Sequence, residues 1–353
     1  MWPWDFGEYV PNLSGIVSIA ILSVFGVLGN IILISVIVLN RSLRTLPNVL
    51  IVNLAIGDLL YIICVGPAWI EHELNPIFAL SEPACKFKHY ITLVSQGSCV
   101  FSLTMLSFER YSVIVRGMQT RQSRKKLRTV LAVAVVWIFS LVLVLPTAFL
   151  AYKKTSDYAS ECHSSDSDEG DSFLGIYTTV IFYIIPVLLI SVFYTKVALA
   201  LLRSAATLQG QDSQTTNSAQ QEANRRRLAI ICLAISAFFA VFWLPHYAFT
   251  LWSRFDQSKS YSEDMFEFGL KEETFRVVQY FMALINSCTS PWLLFVLSTT
   301  HRRYLLTPCK SCNKGLNRKS TGSLASNGVS MSNASTRYRA GTKPSITVQS
   351  TQI

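Results

Sequence analysis

Seven stretches of this chain carry almost no charge and are long enough to cross a bilayer: Gly15 to Leu39, Val49 to Ile70, Ile91 to Phe108, Thr129 to Tyr152, Ser172 to Thr195, Leu228 to Ser253 and Val277 to Thr300. A hydrocarbon core of ~30 Å at ~1.5 Å per residue takes roughly 20 residues of helix, and a helix satisfies its own backbone where no water can. Asp58 is the only Asp, Glu, Lys or Arg inside any of the seven. With 51% of residues hydrophobic and 15% charged, against about 25% charged in a soluble domain, the sequence predicts an all-α membrane protein built as a seven-helix bundle.

The third stretch organises the rest. It opens at Cys85, runs uncharged from Ile91 to Phe108 and ends at Glu109-Arg110-Tyr111. Thr92, Ser95 and Gln96 fall on one helical face near the Cys85 end, too polar to turn toward lipid, so this helix is expected at the centre of the bundle.

Orientation is read from the loops. With the amino terminus placed outside, the inner segments hold 21 of the 31 Lys and Arg residues and the outer segments 17 of the 21 acids. That is the positive-inside pattern. Residues 1–14 are then a short extracellular segment, 15–308 the bundle and 309–353 a cytoplasmic tail at the plasma membrane. Met1 to Leu13 lacks the basic start of a cleavable signal, and the Asn12-Leu13-Ser14 sequon abuts the first span. The net charge of +10 follows this topology and forms no aromatic-interleaved patch for nucleic acid.

Four of the eight cysteines, Cys64, Cys99, Cys232 and Cys288, lie within spans as small apolar residues. Cys85 and Cys162 are the two on the oxidising side, which points to one bridge between them. Cys309 and Cys312 follow the last span, where palmitoylation is expected.

Asn30 in the first span and Asp58 in the second are functional candidates because a polar group at membrane depth is costly unless it faces the interior; the alternative is that they bond to each other as packing glue. Pro67, Pro146, Pro186, Pro245 and Pro291 each remove a helix hydrogen bond and suggest kinks around a cavity. Trp243, His246 and Thr250 share a face of the sixth span, where the Pro245 kink lets Trp243 swing. The seventh span ends in Asn286, Ser287, Ser290 and Pro291, and His301 to Leu306 reads as a short amphipathic helix on the inner membrane surface.

Lys153 to Asp171 reads as an acidic loop over the bundle mouth, and Ser204 to Asn224 as a polar, disordered inner loop. The serine-rich tail suits receptor kinases, with sites expected among Ser320 to Thr336. Its last residues, Thr351 to Ile353, fit a PDZ domain.

Asn30, Asp58, Cys85, Glu109-Arg110-Tyr111, Trp137, Phe242-Trp243-Leu244-Pro245 and Ser290-Pro291, in this order on seven spans, resemble the rhodopsin-like G-protein-coupled receptors. The resemblance implies an outside ligand that opens the inner ends of the fifth and sixth helices for a heterotrimeric G protein, with Arg110 leaving Glu109. It also implies arrestin as a partner of the tail and an allosteric sodium ion beside Asp58. Thr92 stands where amine receptors resemble one another in having an aspartate, and Leu284 where opsins carry the retinal lysine, so neither ligand is expected. Val100-Phe101-Ser102-Leu103-Thr104, Asn286-Ser287-Cys288 and Leu294-Phe295 are similar to bombesin-type and CCHamide-type peptide receptors, which implies a neuropeptide ligand, a lean toward the Gq class and a pocket at Thr92, Gln96, Trp243, His246, Thr250 and Tyr280. Glu109, Arg110, Tyr111, Trp243 and Pro291 would carry activation, and Asn30, Asp58, Asn286, Ser287 and Ser290 an internal polar network. Cys99 and Ser290 depart from the family's usual serine and asparagine, which bears on the sodium site, and Arg225 replaces an acid facing Arg110.

Three other readings remain open: the same fold answering a lipid or other small molecule, a seven-span transporter, and a non-signalling scavenger. The absence of an internal repeat and of further buried ions counts against transport. The intact Glu109-Arg110-Tyr111 counts against scavenging. No phosphate loop, metal cluster or nucleophile constellation suggests an enzyme.

Overall fold

The structure is a computed structural model describing residues 13–74, 81–117, 122–150, 152–155, 160–163, 168–208, 216–255 and 265–306, with backbone alone at both strands and several helix ends. Its helices are α1 (Leu13–Leu39), α2 (Leu46–Leu74), α3 (Glu82–Ile114), α4 (Gln122–Val142), α5 (Leu145–Leu150), α6 (Asp168–Thr179), α7 (Ile185–Leu208), α8 (Thr216–Phe255), α9 (Met265–Leu297) and α10 (Thr299–Leu306). Seven membrane-crossing segments result: α1, α2, α3, α4 with α5, α6 with α7, α8, and α9. The membrane helix bundle expected from the sequence is therefore present, with α10 as the short eighth helix.

The α3 helix is the axis of the bundle, packing against α2, α4, α5, α7 and α8. Its buried face runs unbroken from Val94 to Val100 and resumes through Ser102, Leu103, Leu106, Ser107 and Glu109 to Ser112. The peripheral spans turn large apolar side chains outward, such as Ile21, Val24 and Leu28 on α1 and Val130, Leu131 and Ile138 on α4. A belt of this kind would be an aggregation hazard in water and is the expected surface in lipid.

Two glycines set how closely the spans approach. A methyl at Gly57 of α2 would lie 2.7 Å from the Cys99 sulfur and 3.0 Å from the Ser95 carbonyl oxygen of α3. A methyl at Gly29 of α1 would lie 2.6 Å from Trp292 Nε1 of α9. At Gly57 the approach reaches the α3 backbone, whereas at Gly29 the α9 neighbours are the Trp292 and Pro291 side chains; in both places a small residue lets the spans pack closely.

The prolines act in two ways. Pro67, Pro245 and Pro291 lie inside continuous helices. Pro146 instead follows a break: α4 stops at Val142 and α5 resumes at Leu145. Pro186 follows a π turn at Val180–Ile184, because its nitrogen cannot donate to the Phe182 carbonyl and its ring pushes that carbonyl away.

Several expectations need correction. The acidic segment Lys153 to Asp171 is not all loop: β1 (Tyr152–Thr155) pairs antiparallel with β2 (Ser160–His163), placing Lys153 opposite Cys162, and α6 already starts at Asp168. Within the inner segment expected to be disordered, residues 204–208 continue α7 and 216–224 begin α8. The last span ends at Leu297 rather than Thr300, since Ser298 interrupts it and opens α10.

Ser298 positions α10. Its Oγ lies 2.7 Å from His301 Nδ1 and accepts from the His301 backbone N–H at 3.3 Å, the behaviour of a helix N-cap. Tyr304 bonds Ser42 at 2.9 Å, pinning α10 beside the turn after α1. His301 is buried, and burial pushes its imidazole below its ordinary value of 6.5.

Candidate functional site

The buried polar residues form three tiers along α3. The first surrounds Trp243, which is 4% exposed and meets Tyr61, Phe239, His246 and Tyr247 at ring-centroid distances of 5.8, 5.9, 5.6 and 6.4 Å. His246 Nδ1 donates to Gln279 Oε1 at 3.1 Å, which fixes its tautomer. Gln96 Nε2 donates to the Tyr247 hydroxyl oxygen at 2.5 Å. Tyr280 stacks on Trp69 at 5.5 Å. The Trp243 Nε1–H and the Tyr280 hydroxyl are buried and, among the described residues, have no hydrogen-bond partner. Such groups carry a desolvation cost that an incoming acceptor would relieve.

Of the expected pocket residues, Gln96, Trp243 and His246 thus come together around Tyr247. Tyr280 joins through Tyr61, which neighbours both it and Trp243. Thr92 and Thr250 lie one turn beyond Gln96 and His246 and donate to the carbonyls of Lys88 and His246 at 2.7 and 2.8 Å. At the head of α3, Cys85 is disulfide-bonded. Its expected partner Cys162 sits on β2, whose side chains lie outside the described residues.

The second tier is the polar network at mid-bundle. Asn30 Nδ2 donates to the Gly26 carbonyl at 2.9 Å and to the Ser287 carbonyl at 3.1 Å, tying α1 to α9. Asn30 therefore ties to α9, and no described hydrogen bond joins it to Asp58. Cys99 Sγ donates to Asp58 Oδ1 at 3.5 Å, Ser287 and Ser290 neighbour the same carboxyl, and Ser290 Oγ donates to the Asn286 carbonyl at 2.8 Å. Among the described residues, Asp58 Oδ2 and Asn30 Oδ1 have no hydrogen-bond partner. Both residues line a small cavity with Leu54, Ser290, Ile235 and Leu294, with about 10 Å³ of room for the centre of a water-sized particle.

A hard alkali cation calls for oxygen ligands. The free Asp58 oxygen and the hydroxyls of Ser287 and Ser290 fit that requirement. The thiol of Cys99 contributes no ligand to it.

The third tier closes α3. Arg110 Nε donates to Glu109 Oε2 at 2.6 Å, and Arg110 Nη2 contacts the same oxygen. Both side chains are buried, 6% and 8% exposed. Tyr111 packs on Phe193 of α7 at 5.4 Å, with the cations of Arg116 and Lys196 over its ring at 5.3 and 5.6 Å. Arg227 of α8 reaches the Leu297 carbonyl at the end of α9 at 3.4 Å. The Arg225 side chain, Cys309, Cys312 and residues 351–353 lie outside the described set.

Sequence reasoning missed Asn53, Tyr183 and Tyr247. Asn53 accepts from Trp137 Nε1 at 2.9 Å and donates to Ser102 at 3.4 Å, linking three spans. Its place in Asn53-Leu54-Ala55, a turn before Asp58, was the available signal. Tyr247 stands four residues after Trp243 and so on the same helical face.

Residues 29–294 match the family described as 7 transmembrane receptor (rhodopsin family). The chain is 28% identical over 321 residues to the bombesin receptor subtype-3 of Ovis aries, an alignment covering 88% of this chain and 79% of that one. It is 30% identical over 296 residues to a bombesin receptor of Bombina orientalis, covering 82% and 74%.

Proposed function

Because the chain belongs to the rhodopsin family of seven-transmembrane receptors, and so to signalling receptors rather than enzymes, we propose that it is the receptor for an extracellular peptide and activates a heterotrimeric G protein. The observation that carries the reading is the row of buried polar groups on α3, Gln96, Cys99 and Ser102 and, past the turn at Leu106, Glu109 and Arg110. It connects an aromatic pocket with unmet donors to a charge pair at the opposite end of the bundle. The peptide class is supported by the similarity to bombesin receptors and by Thr92 in place of an acid.

In this reading the amino terminus is outside, as the basic inner loops favour. The peptide enters at the Cys85 end and supplies acceptors to Trp243 and Tyr280. Trp243 then shifts, α8 moves about Pro245, and Arg110 leaves Glu109 for the G protein, with the Gq class favoured. A sodium ion held by Asp58, Ser287 and Ser290 would oppose that shift by binding the closed form better. A bridge from Cys85 to Cys162 fastens the β1–β2 hairpin. Palmitoyl groups on Cys309 and Cys312 anchor the segment after α10, while kinases, arrestin and a PDZ protein act on the tail.

The test is G-protein activation in cells challenged with a panel of short amidated peptides. Gln96→Ala, Trp243→Ala, His246→Ala and Tyr280→Phe should each weaken the response to an active peptide. A full response from all four at wild-type potency would remove the pocket from the account.

A further inference from the structure

Tyr247 and Tyr183 make a connection that none of the preceding steps uses. Tyr247 of α8 is 2% exposed, and its hydroxyl oxygen accepts from Gln96 Nε2 of α3 at 2.5 Å. Its ring stacks on Tyr183, centroids 4.8 Å apart and planes 30° off parallel. The Tyr183 hydroxyl in turn donates to the Ala240 carbonyl of α8 at 2.8 Å. One side chain of the fifth span therefore grips α8 at two points seven residues apart, on the same face and two turns distant.

Pro245 lies between those points. A proline removes the bond to the carbonyl four residues back, here that of Val241, so the helix is weakest within the gripped interval. Bending at Pro245 must change the relation of Ala240 to Tyr247, and the grip opposes it. Tyr183 reaches both points from within the π turn Val180–Ile184. One extra residue in a turn rotates the later side chains by about 100°, so an unbroken α-helix would aim Tyr183 elsewhere.

We propose that Tyr183 and Tyr247 are positioning residues that clamp the Pro245 hinge and, anchored to α3 by Gln96, hold the sixth span closed. The clamped form is the one in which Arg110 is held by Glu109. Release of the clamp accompanies activation, and an agonist reaches it through Trp243 and His246, both of which contact the Tyr247 ring. The reading of the signal as G-protein activation rests on the function proposed above, but the clamp itself does not.

The test uses the full chain in nanodiscs, spin-labelled through an unnatural amino acid at Lys126 and Arg226, both exposed at the Arg110 end of the bundle. Tyr247→Phe and Tyr183→Phe keep the ring stack and remove one hydrogen bond each. Each should raise the ligand-free ratio of long to short 126–226 distances about fivefold, the effect of a hydrogen bond of ~1 kcal/mol on a two-state equilibrium. Basal G-protein activation should rise in the same order, and the double variant by less than the product of the singles.

A lower melting temperature with an unchanged distance distribution overturns the clamp, since that is what mere packing would give. If Tyr247→Phe fails to reach the membrane, Gln96→Leu and Tyr183→Phe decide: longer distances in both support the clamp and unchanged ones overturn it. Wild-type receptor that activates no G protein in any condition would defeat the functional reading alone, with the distance measurement still deciding the clamp.

Discussion

Glu109 and Arg110 are consecutive residues of α3 whose side chains fold onto each other, with Nε–H donating to the carboxylate at 2.6 Å inside a closed bundle. Taking one partner from a buried pair leaves the other charge uncompensated, at a cost of about 3–5 kcal/mol. Glu109→Gln should therefore do two things: lower the melting temperature of the purified receptor and, by freeing Arg110, raise basal nucleotide exchange severalfold at matched surface level. Unchanged basal exchange would show that this pair does not restrain Arg110.

The contact between α2 and α3 at Gly57 predicts intolerance of a methyl group. In Gly57→Ala the new carbon would meet the Cys99 sulfur at 2.7 Å and a backbone oxygen that cannot rotate away at 3.0 Å. A loss of ~1–3 kcal/mol is expected from such overpacking, read as a lower melting temperature and reduced surface expression. Gly66→Ala, whose nearest neighbour is the Ser23 hydroxyl at 3.1 Å, should be milder.

At mid-bundle, Cys99 places a thiol where a hard cation would need oxygen. Cys99→Ser supplies that oxygen beside Asp58. The variant should gain more thermal stability than wild type when choline chloride is replaced by sodium chloride. Equal gains would mean that position 99 takes no part in ion binding.

His301 gives a pH prediction. Burial lowers its folded-state value below 6.5, so the unfolded chain binds the proton more readily. Stability is then full above about 6.5 and is lost as pH falls from there toward the folded-state value. Wild type should lose more melting temperature than His301→Gln between about pH 7.5 and about pH 5.5. A parallel loss in both would remove His301 from the pH response.

The seven spans and the central place of α3 were legible because each rests on a local signal: an uncharged run of bilayer length or a polar stripe at helical spacing. The burial of Glu109 and Arg110 was not, because a charge pair closing an apolar run reads as the water interface. Asn30 was legible as a buried group, but its partner was not. The Ser287 carbonyl lies 257 positions away, and periodicity carries no information at that range. The Tyr183 and Tyr247 contacts escaped for the same reason, since a tyrosine in an apolar run reads as one more buried ring. The start of α8 was misread from its polarity. Ala219, Gln220, Gln221, Glu222 and Ala223 are good helix formers, and propensity was the better guide there. The break at Leu143 and Val144 had Pro146 as its signal, but whether a proline kinks or interrupts a helix is settled by packing.

The central claim is that a peptide acting at the Trp243 end changes the state of Arg110 at the other. It is tested most directly by reconstituting the purified receptor with heterotrimeric Gq and measuring nucleotide exchange against the amidated-peptide panel, in wild type and Arg110→Ala. The account predicts saturable exchange with at least one peptide, absent in Arg110→Ala although that variant still binds the peptide. Exchange that persists in Arg110→Ala, or a wild type that binds a peptide yet drives no exchange on Gq or any other G protein supplied, would contradict it.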